Sequence, residues 1–201
     1  PVFCLHGDAF IVRQLSPTVT IGGGVILHPN PPKHKTTERK ALAALRELDQ
    51  EDLSTKIPVL LAANARRAMN LNELNSLLGL PVPDLAGICT ALVRSGRVVM
   101  VPAPVPVLVL PDVVESLKKE TLTLVGGFHS ENPLQKGISK EELRKRIYDD
   151  LPQEVFRYCL EGLVEARQIS FQEDAVSLFG REVQLTAEAE QARRRIEDLF
   201  L

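Results

Sequence analysis

Residues 70 to 110 and 139 to 179 carry one sequence plan twice, and that duplication restricts the fold more than any other feature of the chain. Each copy opens on a helix-capping signature, Asn70-Leu71-Asn72-Glu73 in the first and Ser139-Lys140-Glu141-Glu142 in the second. In such a box the cap oxygen and the Glu three residues on satisfy each other's free amides. A short helical stretch follows, NELNSLLGL or EELRKRIYDDL, and then a longer one, PDLAGICTALVRSGRVVMVP or QEVFRYCLEGLVEARQISFQ. Leu74 matches Leu143 at an offset of 69, whereas Leu92 and Val93 match Leu163 and Val164 at an offset of 71, so only the loop between the helices changes length. Both copies close with a β-branched run, a turn and a second apolar run.

Helix, turn, helix and β-hairpin in that order is the winged-helix plan. The expected class is mainly α with small β: tandem winged-helix domains preceded by a few strands. In the first unit Leu71 to Leu78 and Asp84 to Arg94 are the second and third helices, with a wing of Val98 to Val101 and Val105 to Leu110. In the second, Val113 to Phe128 is the opening helix and His129 to Gly137 an ordered loop. Helices from Lys140 and from Gln153 to Ala166 follow, and the wing is Gln168 to Phe171 with Val176 to Phe179. Thr186 is expected to cap a last helix carrying Ala189, Ile196 and Leu199.

The N-terminal residues read as strands: Val2 to Leu5, Phe10 to Val12 and Val19 to Leu27, punctuated by Gly7-Asp8 and Ser16-Pro17. Three strands do not close a barrel, so their edges need partners, and pairing with a second copy is one expectation. Glycines inside a strand mark a bulge, a bend or a close backbone approach. Gly22-Gly23-Gly24 is therefore not a phosphate cradle, which requires Gly-x-x-x-x-Gly-Lys-Ser/Thr opening a helix. His28 to Lys35 holds three prolines in four positions and reads as an extended linker. After it, Thr36 or Thr37 caps a helix ending near Asp49 with Leu42, Leu45 and Leu48 on one face. A helix from about Asp52 to Arg66 contains Pro58, tolerable if the helix starts near residue 57 or kinks.

The chain has 201 residues, 44 % of them hydrophobic, enough to bury a core. Cys4, Cys89 and Cys159 form neither a disulfide framework nor a zinc motif, which points to a reducing, cytoplasmic setting; Cys89 and Cys159 read as core residues. The most apolar stretch, Val98 to Leu110, is short and interrupted by Pro102, Pro104 and Pro106, so no membrane span is expected. Pro1 and Leu201 lie inside strand-like and helix-like patterns, so both ends read as cut from something longer.

Net charge is −2, divided as eleven basic against eight acidic residues in 1 to 110 and thirteen against eighteen in 111 to 201. A phosphate-gripping domain is usually basic. The first unit's third helix offers only Arg94 at its end, with Arg97 beyond, and the second's sets Arg157 against Glu154, Glu161 and Glu165. Groove reading by these helices is disfavoured. In the basic run Lys140, Arg144, Lys145 and Arg146, Glu141 faces Lys145 and Glu142 faces Arg146 at i,i+4 spacing, as on a solvated helix face. Arg193-Arg194-Arg195 is diluted by Glu190, Glu197 and Asp198. The less neutralised cations are Lys33, Lys35, Arg39, Lys40, Arg66 and Arg67, with His34 nearby, and they are the candidates for an auxiliary RNA contact. The scattered His6, His28, His34 and His129 suggest capping or solvated imidazoles rather than a triad or a metal set. No catalytic, cofactor-binding or metal residue is assigned, and the chain is not expected to be an enzyme.

Two motifs suggest a family. Gly7 to Leu27, followed by His-Pro-Asn-Pro-Pro-Lys-His-Lys, resembles the end of the third β-barrel domain of the bacterial selenocysteine-specific elongation factor, SelB, and its junction with the C-terminal extension. Phe128 to Gly137, before Ser-Lys-Glu-Glu-Leu-Arg, resembles a loop of that extension. The resemblance implies terminal strands of a truncated barrel and a linker at 1–35, a first winged helix at 36–110, a second at 111–185 and the opening of a third at 186–201. It also implies a parent that is a translational GTPase in protein biosynthesis, using GTP and Mg²⁺ and delivering selenocysteinyl-tRNA to UGA codons on the ribosome. More distal winged helices would bind the mRNA hairpin. The present residues would then be a spacer, lacking the GTPase domain and binding RNA weakly or without specificity. The rival readings are a tandem winged-helix DNA-binding regulator, which calls for basic third helices, and a protein-interaction scaffold, which leaves the N-terminal strands unexplained.

Overall fold

The computed structural model describes residues 4–29, 31, 39–64, 68–181 and 195, and the statements below concern these. The chain divides into two compact units, Pro1–Val113 and Val114–Leu201. Among the described residues the expected strand at Val2 to Leu5 is not seen, because Cys4 and Leu5 are irregular and residues 1–3 lie outside the description. What forms instead is an antiparallel hairpin, β1 (Ala9–Gln14) and β2 (Val19–Val25), with every residue exposed. Val12 faces Gly22 and Arg13 faces Thr20, so Ile21 is the extra residue of a bulge. The triple glycine answers to a close approach: a Cβ on Gly23 would fall 2.6 Å from the Phe10 carbonyl oxygen.

The first unit continues with α1 (Arg39–Leu48), α2 (Leu53–Ala63), β3 (Ala68–Asn70), α3 (Leu71–Leu78), α4 (Val82–Arg94), β4 (Val99–Val101) and β5 (Val107–Val109). On α1 Leu48 is buried and Ala41 and Ala44 are half-buried, whereas Leu42 and Leu45 are exposed, against expectation. Helix α2 begins at Leu53 and takes Pro58 into its interior. Asp52 makes the early start favourable by accepting from the Ser54 amide and the Thr55 hydroxyl. The missing Pro58 donor is offset by Ile57, Leu60 and Leu61, all at or below 2 % exposure in the core with Leu74, Leu85 and Cys89.

The second unit repeats the order: α5 (Pro111–Glu131), β6 (Ile138–Ser139), α6 (Lys140–Ile147), α7 (Gln153–Glu165), β7 (Ile169–Gln172) and β8 (Ala175–Leu178). Its sheet order β6-β8-β7 copies the first unit's β3-β5-β4, all antiparallel. Each unit thus has a third strand that the sequence does not reveal, ending on the cap residue of the next helix, Asn70 or Ser139. The first unit's prolines fall in the turn at 102–106, which leaves β5 free to be the fully buried central strand. Helix α5 is longer than expected: Pro111 starts it with a preset φ, and it runs through His129 to Glu131, so the ordered loop is confined to 132–137.

The change of offset from 69 to 71 has a direct cause. Helices α3 and α4 are joined by residues 79–81, α6 and α7 by residues 148–152, two more. Gly79 ends α3 at φ 65°, in the left-handed region that glycine enters freely. Its counterpart Tyr148 ends α6 at φ −116° and sends its ring into the core, with 0 % exposure.

Candidate nucleic-acid interface

Of the six cations proposed for an RNA contact, Lys33, Lys35, Arg66 and Arg67 lie outside the described residues. Lys40 is described only as backbone of α1, and Arg39 opens that helix, exposed. Of the six, the described residues therefore place only Arg39 and the backbone of Lys40. Arg195 is helical and exposed, and the rest of the helix expected after Thr186 lies outside the description.

The third helices can be judged in full. Helix α4 carries Asp84 near its start and Arg94 in its last turn. Its exposed positions include Gly87, Thr90 and Ala91, which carry no formal charge. On α7, Arg157 lies 3.8 Å from Glu161, while Glu154 and Glu165 bracket the helix. Each helix thus carries one cation: Arg94, exposed at the end of α4, and Arg157 on α7, with Glu161 beside it.

Helix α6 carries four cations against two carboxylates, and its charges are partly spoken for. Arg146 pairs with Glu142, as its spacing predicted; the companion pair Glu141–Lys145 is not among the ion pairs of the described residues. Lys140 stands 4.4 Å over the ring of Phe171 on β7, tying the start of α6 to the wing by a cation–π contact. The pairing is 31 residues distant in sequence and gave no signal there. Both helix caps form, with one difference. Asn70 and Glu73 make the reciprocal box, whereas Ser139 accepts from the Glu142 amide and the Glu142 carboxylate turns to Arg146 instead. A shallow groove of about 360 Å³ runs between α5 and α6, floored by Leu124 and Ile147 and edged by Lys119, Glu120 and Arg146.

The histidines are structural in different ways. His129, expected as a capping or solvated imidazole, is 4 % exposed, and its Nε2 accepts from the Leu178 amide at 3.2 Å. That bond requires the proton on Nδ1, which is buried without a partner. Burial and then the neighbouring Arg181 guanidinium hold its pKa below the ordinary value. Arg181 itself donates to the carbonyls of His129 and Pro133, clasping the end of α5 to the loop after it. Cys89 and Cys159 are fully buried, as expected, and burial pushes both thiols up. Tyr148 donates to Thr121 in the same core, and burial raises its phenol far above the usual range.

Among the described residues no three His, Cys, Asp or Glu side chains are grouped to hold a metal. The GTP and Mg²⁺ implied for the parent do not fit these residues: Gly22 to Gly24 lie inside β2, with no helix start to cradle a phosphate. No single described helix is long and apolar enough to cross a membrane; α3 and α4 pass such a test only as a pair bent by 114°.

Residues 122–178 match the family model described as "Elongation factor SelB, winged helix". This stretch begins within α5 and ends on the last residue of β8, so it contains the whole sheet and both short helices. The second unit matches the SelB winged helix. The full chain also aligns, at 23 % identity over 203 residues, with the selenocysteine-specific elongation factor of Desulfomicrobium baculatum. It spans 32 % of that relative's length, and the two findings together are consistent with a C-terminal portion of SelB.

Proposed function

We propose that this chain is the spacer and adaptor part of a SelB-type translation elongation factor, and that its two winged helices hold other binding parts apart rather than read nucleic acid. The observation that carries this is the character of α4 and α7, the elements that a nucleic-acid-reading winged helix inserts in a groove. One carries a single cation, Arg94, in its last turn, and the other a net acidic face on which Arg157 has Glu161 beside it. An acidic helix is repelled by a phosphate-lined groove, so a DNA-binding regulator is the weaker reading.

On this reading the chain divides into barrel strands and linker at 1–35, winged helices at 36–110 and 111–185, and the start of a third at 186–201. The GTPase, with its GTP and Mg²⁺, belongs to the parent protein, as do selenocysteinyl-tRNA, the ribosome and the mRNA hairpin as partners, in the cytoplasm. Lys33, Lys35, Arg39, Lys40, Arg66 and Arg67 would supply at most an auxiliary, sequence-independent RNA contact. The test is a titration of a selenocysteine-insertion hairpin against these 201 residues and against a longer form that includes the following winged helices. The longer form should bind tightly and the shorter weakly; tight, sequence-specific binding by the shorter form would overturn the spacer reading.

A further inference from the structure

The two units treat one surface differently. In the second unit the groove between α5 and α6, of about 360 Å³, has the half-buried Leu124 and Ile147 at its floor and is open among the described residues. Its counterpart in the first unit follows from the repeat. Val125 and Ile57 are both fully buried on their helices, so Leu124 matches Lys56; counted from the caps Ser139 and Asn70, Ile147 matches Leu78. Lys56 and Leu78 are covered, at 9 % and 7 % exposure. The chain's own N-terminal segment lies against that part of the first unit. His6 approaches the Lys56 ammonium nitrogen at 3.2 Å, and Leu27, just after β2, packs on the core cluster to which Leu78 belongs. One copy of the surface thus has a protein segment with an aliphatic anchor beside it, and the other is bare among the described residues.

The rim decides which kind of partner fits. Lys119 stands on the α5 wall and Arg146 on the α6 wall, but each wall also carries a carboxylate: Glu120, which accepts from the Ser116 hydroxyl at 2.8 Å, and Glu142, which pairs with Arg146. A phosphate chain laid in the groove would meet both carboxylates and an aliphatic floor, and would release few counterions. A protein segment sets an apolar side chain on that floor and leaves the rim charges in water, gaining the burial of Leu124 and Ile147. We propose that the α5–α6 groove of the second unit is a docking site for an extended protein segment, which inserts an aliphatic side chain between Leu124 and Ile147 as Leu27 is seated on the first unit. Such a site gives the second unit a protein partner of its own, and it stands whether or not the spacer reading does.

The probe is a synthetic peptide of residues Gly22 to Pro29, which carries Leu27. Titrated into the full chain, it should move the Leu124 and Ile147 methyl resonances saturably, while the buried Val155 and Leu163 methyls of the same unit keep theirs. The Leu27→Ser form of the peptide should move none of the four. In the chain, Thr123→Lys places a long side chain at the groove's exposed edge and should abolish the movement; unaltered Val155 and Leu163 resonances show that this variant is folded. Ser116→Arg, at a second exposed edge position, should do the same. Leu124 and Ile147 methyls that stay still with the Leu27 peptide, that move equally with its Leu27→Ser form, that move as before in both chain variants, or that answer instead to a single-stranded RNA oligonucleotide would overturn the site.

Discussion

Removing one oxygen from Tyr148 isolates how the second unit fixes its core. The ring is fully buried and packs edge-on against Phe156 at a centroid distance of 5.0 Å. Its hydroxyl lies 2.8 Å from Thr121 Oγ1, and Thr121 in turn donates to the Leu117 carbonyl at 2.8 Å. Tyr148→Phe keeps the ring and strands one acceptor lone pair on a threonine whose own proton is still placed. The loss should therefore be that of a single buried hydrogen bond, about 1 to 1.5 kcal/mol. Thr121→Val removes the partner, and the double variant leaves neither group unsatisfied, so the two substitutions should be sub-additive by about 1 kcal/mol. The chain has no Trp and only two Tyr, both in this unit, so Tyr158 fluorescence follows its unfolding in urea even in the variants. A melting-point fall of about 4–8 °C is expected for Tyr148→Phe in a unit of this size. The hydroxyl also lies 3.4 Å from the Leu117 carbonyl, a longer contact that adds little; strictly additive losses would refute the Thr121 pairing, and a loss above about 3 kcal/mol would exceed what these contacts explain.

Three further outcomes follow from the geometry. Gly137→Ala would drive a Cβ into the Val176 backbone, where the carbonyl oxygen would stand at 2.3 Å, so the β6–β8 pairing should fail; the expected cost is upwards of about 2 kcal/mol, checked by urea unfolding. Arg167 sits at φ 52° where the first unit has Gly96 at φ 70°, and Arg167→Gly should stabilise the second unit by about 0.5 to 1 kcal/mol, read as a raised melting point. His129 has a lowered pKa when folded, so the unfolded chain binds the extra proton first. Stability of the second unit should be level above the ordinary value of 6.5 and fall as pH drops below it, and His129→Asn should flatten that part of the profile.

The fold was legible where local chemistry determines it. Asn70 and Ser139 mark helix starts because a capping oxygen acts on neighbouring amides, and the repeat spacing exposed both bodies. Cys89 and Cys159 fell in the core because apolar periodicity placed them there. Strands β3 and β6 escaped notice because three and two residues are too few to display alternation. Pro58 misled, since a local rule for proline gives no weight to the tertiary burial of Ile57, Leu60 and Leu61. Leu42 and Leu45 misled for a related reason: leucine periodicity on α1 fits two stripes, and packing chose the one through Ala41, Ala44 and Leu48. The contacts of His6 with Lys56 and of Lys140 with Phe171 join residues 50 and 31 positions apart, and no local pattern announces them.

The central claim is that neither reading helix grips a phosphate backbone, and the salt dependence of RNA binding measures that directly. The slope of log affinity against log salt is about −0.9 per phosphate neutralised on a duplex. For these 201 residues on an RNA duplex the account predicts weak binding with a slope no steeper than about −2, unchanged when Arg157 or Arg94 is replaced by Ala. A slope of about −5 or steeper that shrinks by about one unit with either substitution would show α4 or α7 seated in a groove, and would contradict the account.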